Sequence, residues 1–100
     1  MARTLYEKIL NEMEMSDRHL RMLKVTKENQ PIGIIRLSEI TQIPKHKIRY
    51  SLRLLEREGL IQPSPEGARV TEKYEEFLKE TKKNLDKISE LLDSIKENLN

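Results

Sequence analysis

The chain has no cysteine, only two histidines and three glycines, and a single phenylalanine among its 100 residues. Each scarcity removes a class of chemistry. Without thiols there is no disulfide to staple a small fold and no thiolate ligand, a usage that fits a reducing, cytoplasmic location. His19 and His46 alone cannot build a structural zinc site, and Gly33, Gly59 and Gly67 are too scattered for a phosphate-binding loop, so no cofactor is expected. The longest apolar run, Ile32-Gly33-Ile34-Ile35, is far too short to span a bilayer. The start MARTLYEKIL has no continuous apolar segment of the kind that marks a secretory signal. Carboxylates are dispersed over helical surfaces without a recognisable pair, and Ser16, Asp17 and His19 are explained by a helix start, so the expectation is a protein that is not an enzyme. Paired stacking aromatics, the usual platform for single-stranded RNA, are also missing.

What remains is charge and periodicity. Hydrophobic and charged residues each make up 36% of the chain, the composition of one small folded unit. A net charge of +2 conceals an uneven distribution. Residues 36–58 carry six bases against three acids, a net of +3, whereas residues 72–100 carry six lysines against eight acids, a net of −2. A basic middle and an acidic tail are compatible with one segment facing an anionic partner while the tail serves another purpose.

Leu5, Tyr6, Ile9, Leu10 and Met13 recur at helical spacing, and Ser16 is a plausible N-cap for a segment carrying Leu20, Leu23, Met22 and Thr26 inward. The pattern is compatible with one kinked helix or two. Pro31 and Gly33 then interrupt, and the β-branched Ile32, Ile34 and Ile35 favour a short strand before LSEITQI resumes helical spacing. Pro44 ends that helix and suits the first turn of the next, which runs from Lys45 to Glu58 and stops at Gly59. The stretch GLIQPSPEGARVTE reads as two short strands around Ser64-Pro65-Glu66-Gly67, with Thr71 capping a final helix. That helix carries a heptad in which Leu78, Leu85, Leu92 and Leu99 take the a positions and Tyr74, Thr81, Ile88 and Ile95 the d positions, with Phe77 and Leu91 at g. A seam this broad and long exceeds what the small body can cover, so homodimerisation through Leu85, Ile88, Leu92, Ile95 and Leu99, with Leu5 and Ile9 contributing, is the expected outcome.

On a helical wheel the 45–58 segment divides cleanly. Ile48, Ser51, Leu52 and Leu55 share one face, inward with Leu37, Ile40, Ile43 and Leu60; His46, Tyr50, Arg53 and Arg57 occupy the opposite one, flanked by Lys45, Arg49 and Lys47. Helix, short strand, short helix, turn, basic helix and hairpin, carried by LSEITQIPKHKIRYSLRLLEREGLI and VTEKYEEFL, resemble the winged helix-turn-helix transcriptional regulators of the small archaeal and bacterial type. The resemblance covers about residues 17–78, and the turn TQIPK lacks the glycine often found there. It implies a mainly α fold with a small β-hairpin wing. The organisation is an N-terminal amphipathic helix over 1–15, a winged-helix domain over 16–78 and a long C-terminal helix over 72–100. By the same resemblance the protein is a homodimeric, sequence-specific regulator binding double-stranded DNA, with helix 45–58 in the major groove. His46, Arg49, Tyr50 and Arg53 then face base edges, and Arg36, Lys45, Lys47, Arg57 and Arg69 face phosphates. The alternative is a winged-helix adaptor that binds protein within a larger assembly.

Overall fold

The computed structural model describes residues 4–100; the first three residues of the expected N-terminal segment lie outside it. Helix α1 is one continuous element, Leu5–Asn29. Thr4 caps it: its Oγ1 accepts from Glu7 N at 3.2 Å while Thr4 N donates to the Glu7 carboxylate at 3.1 Å, a reciprocal capping box. Ser16, expected to start a second helix, lies inside this one, because a cap at Thr4 already begins a register that places Met22, Leu23 and Thr26 in the core.

Helix α2, Ile34–Thr41, replaces the strand expected over Ile32–Ile35. Only Ile32 pairs as β-structure, in a single antiparallel bridge with Ala68. Gly33 is extended and serves as N-cap, so Ile34 and Ile35 form the first turn that brings Leu37 to full burial. Packing has overridden β-propensity here. Ile40, expected inward, is 41% exposed.

Three residues link α2 to α3, Lys45–Arg57. Gln42 adopts the left-handed conformation (φ 60°) that glycine takes in many such turns. Its Nε2 donates to Glu39 O at 2.7 Å, and Ser38 Oγ donates to Ile43 O at 2.8 Å. These local bonds hold the turn without glycine. At the other end of α3, Leu60 N donates to Leu55 O and Gly59 N to Glu56 O, with Gly59 at φ 76°, the Schellman closure that the sequence anticipates there.

Strands β1 (Ile61–Gln62) and β2 (Arg69–Val70) form a short antiparallel hairpin closed by Ser64 and Gly67, which exchange backbone hydrogen bonds at 3.0 Å. Gly67 has φ 131°, and a Cβ there would fall 2.6 Å from the carbonyl carbon of Ile32. Gly67→Ala is therefore expected to cost about 1–3 kcal/mol, read as a lower urea midpoint with unchanged slope, because backbone rather than a pliable side chain must move.

The final helix, α4 (Tyr74–Glu97), starts later than expected. Lys73 is its N-cap, while Thr71 Oγ1 accepts from Lys73 N at 3.3 Å in the preceding turn and donates to Gly59 O at 2.6 Å, tying the end of the hairpin to the end of α3. The core gathers Met22, Leu23, Ile32, Leu37, Ile43, Ile48, Leu52, Leu55, Leu60, Ile61 and Ala68, so α1, α2, α3 and the hairpin enclose one apolar centre. The molecule is mainly α with a small β-hairpin wing, an architecture of the winged helix-turn-helix kind.

Candidate functional site

Two faces of the molecule carry more chemistry than folding requires. The first belongs to α3. Ile48, Ser51, Leu52 and Leu55 are buried as the wheel predicts, which forces His46, Arg49, Tyr50, Arg53 and Arg57 outward. Lys45 and Lys47 are exposed in the first turn, where Pro44 supplies no side-chain cap and no acid is present. Arg36 comes from α2 and shares a cleft with Lys45 and Arg49. Arg69 stands on the hairpin, exposed, and lines none of the clefts beside α3. Among the described residues the only ion pair within 4 Å is Arg21–Asp17, at 2.8 Å on the outer face of α1. The basic side chains of α2 and α3 are thus solvated and available.

The second face belongs to α4. None of its residues is buried. Its first turns border α1 across a groove of about 530 Å³ lined by Leu20, Leu23, Tyr74, Leu78, Thr81 and Leu85. Lys27 Nζ lies 5.4 Å from the centre of the Tyr74 ring and holds this end to α1. Beyond Leu85 the heptad seam is open: Leu92 is 49% exposed and Leu99 82%. The first turns of α1 are equally bare, with Leu5 64% exposed and Ile9 44%. Leu54, on α3, is half-buried at a smaller cleft with Met15, His19 and Phe77.

One polar pair was not evident from sequence. His19 Nδ1 lies 2.8 Å from Ser51 Oγ, joining α1 to α3 inside the apolar interface. The signal available was Ser51 itself, a hydroxyl on the inward face of α3 that needs a partner when buried. His19 Nε2 is buried without a hydrogen-bond partner, and burial, assisted by the neighbouring Arg18, pushes the imidazole below its ordinary value of 6.5. The folded state therefore resists protonation at this site. Its stability is complete above 6.5, where both states are neutral, and is lost as pH falls toward and through the lowered folded value, because the unfolded chain takes up the proton first. The urea midpoint should fall between about pH 7.5 and about pH 5.5, and His19→Gln should remove part of that fall.

Ile34 and Ile35 are the other side chains that sequence reading misplaced, since a strand would have sent them to opposite faces. In α2 both line the cleft with Arg36, Lys45 and Arg49. Among the described residues there is no group of His, Asp or Glu side chains arranged to hold a metal ion, and no helix long and apolar enough to cross a membrane.

No family model and no curated protein sequence matches this chain. Among solved structures, the activation domain of the phage T4 transcription factor MotA is similar, with a TM-score of 0.58 at 16% sequence identity, over 80% of this chain and 93% of that one. A likeness at that identity is one of fold. It corrects the functional expectation drawn from sequence. The step to duplex readout rested on the basic helix together with the fold, and a solved structure that shares the fold is an activation domain. The reading of the protein as a sequence-specific, duplex-binding transcriptional regulator is accordingly set aside, and the assignment of His46, Arg49, Tyr50 and Arg53 to base edges loses its warrant.

Proposed function

We propose that the protein is a winged-helix interaction adaptor, joined to a second copy of itself through α4 and the first turns of α1, and presenting its remaining surface to protein within a larger assembly. The observation that carries this reading is the open seam of α4. At 1.5 Å per residue its 24 residues extend about 36 Å, and its leucines and isoleucines have no cover beyond the first turns. Isolated exposed leucines are ordinary, but a contiguous heptad stripe on a helix this long is stable in water only when another surface covers it. Two such stripes on one chain, on α4 and on the start of α1, suit a multi-helix bundle between two protomers. The likeness to an activation domain supports a role for this fold other than duplex readout.

The adaptor reading makes a pair of expectations that duplex binding would not. Sedimentation should give a dimer, and removing residues 80–100 should give a monomer that keeps the α1–α3 core. Random-sequence duplex DNA at physiological salt should show no binding. A protein that binds duplex with affinity falling steeply as salt rises, in proportion to the phosphates neutralised, would overturn the reading.

A further inference from the structure

The cleft between α2 and α3 combines features that point to a particular kind of partner. It has a volume of about 670 Å³, and its walls are Ile34, Ile35, Arg36 and Glu39 on one side and Lys45 and Arg49 on the other. Three cations meet one acid there. None of the three is paired with a carboxylate within 4 Å. The first turn of α2 also opens toward it: Gly33 has no side chain with which to cap the helix, and the first intrahelical acceptor bond is Leu37 N to Gly33 O, which leaves the Ile34, Ile35 and Arg36 N–H groups without intrahelical partners. The cleft is nevertheless lined mainly by hydrocarbon, and Ile35, 63% exposed, contributes nothing to the core.

A second depression continues the surface along α3. It is lined by Ile34, Arg49, Leu52, Arg53 and Glu56, so Ile34 and Arg49 belong to both. From Lys45 to Arg53 the surface follows α3 for about 12 Å, roughly two helical turns. Apolar and cationic side chains share its lining, with Glu39 and Glu56 its only acids. Duplex DNA could match the charge, but its phosphate backbone offers no apolar group to cover Ile34 and Ile35.

We propose that this α2/α3 surface docks an acidic amphipathic segment of a partner protein, placing its carboxylates against Arg36, Lys45 and Arg49 and its apolar side chains on Ile34 and Ile35. The proposal rests on the adaptor reading and supplies the chemistry of its partner. Arginine favours carboxylate through paired, charge-assisted hydrogen bonds, and an amphipathic helix in a groove buries its apolar face at the same time. Recognition then needs both properties of the segment together, acid and hydrocarbon.

Binding is measured by fluorescence anisotropy on the full chain, with a labelled helical peptide of about 15 residues that carries leucine and glutamate at helical spacing. The expected result is saturable binding that weakens by about tenfold or more with Arg49→Glu, and likewise when the peptide glutamates become glutamine. Ile35→Ser should also weaken it. Both residues are exposed, so circular dichroism should show the variants folded. A peptide with one glutamate changed to lysine should recover affinity for Arg49→Glu. Equal binding of the glutamine peptide, or no binding of the acidic one, overturns the proposal. Silence toward both peptide and duplex removes the cleft while the adaptor reading stands on the sedimentation result; binding of duplex in preference to peptide removes both.

Discussion

Replacing Leu85 and Leu92 together by aspartate is expected to convert the proposed dimer into a monomer at micromolar concentration, with the helical content of the α1–α3 core retained. Both leucines are a positions of the α4 heptad, on the seam and outside the core, although Leu85 also lines the groove that α4 forms with α1. Burying each leucine contributes about 1.5–3 kcal/mol, and a two-fold interface contains each substitution twice. Four sites together remove at least about 6 kcal/mol, which is roughly four decades in the dimer dissociation constant. Carboxylates left inside an apolar seam add a desolvation cost of the same sign. Sedimentation velocity reads the outcome directly. A variant that stays dimeric would place the interface away from α4, and Leu5→Asp with Ile9→Asp would then locate it on α1.

The second large effect lies in the core. Leu37 is the only buried residue of α2 and is fully enclosed, so Leu37→Ala should cost about 2–5 kcal/mol, the usual range for a leucine cavity. Small domains have only about 5–15 kcal/mol in total, and this substitution takes a large share of it. Because Leu37 is the one fully buried side chain that α2 places in the core, with Ile34 only partly packed against it, the loss should concentrate there. Hydrogen exchange is expected to show α2 amides losing protection before those of α3, whose Ile48, Leu52 and Leu55 provide three anchors. Uniform loss of protection across α1, α2 and α3 would contradict that account.

These expectations rest on features of unequal visibility in the sequence. The inward face of α3 and its closure at Gly59 were legible because periodicity and a positive-φ terminator act locally, and both are stated by adjacent residues. The hairpin was legible for the same reason, through Ser64, Pro65 and Gly67. Ile34 and Ile35 were not. Their β-branching favours a strand in isolation, and only the burial of Leu37 three residues later decides for a helix. Ser16 left the choice between one helix and two open, because it has the chemistry of a cap but sits within a register already set by Thr4 and Glu7. The basic face of α3 was found from sequence, yet its partner was not, because lysine and arginine report that an anion is welcome without saying whether it is phosphate or carboxylate. In the proposed docking the hydrocarbon beside those charges makes the distinction, and its position came from placing α2.

The hairpin also restricts how any partner can approach. β2 pairs with β1 along one side, and along the other Ala68 is bridged to Ile32 at 2.8 and 3.1 Å while Val70 N donates to the Gln30 side chain at 2.8 Å. The molecule has thus occupied that border of its sheet with its own Ile32 backbone and Gln30 side chain. The opposite border offers the two residues of β1, followed by Pro63, which has no N–H to give. Adding a foreign strand, a common route to protein recognition through main-chain bonds, has little purchase at this wing. Partners are left to approach through helical surfaces, where side chains rather than backbone set the terms of selectivity.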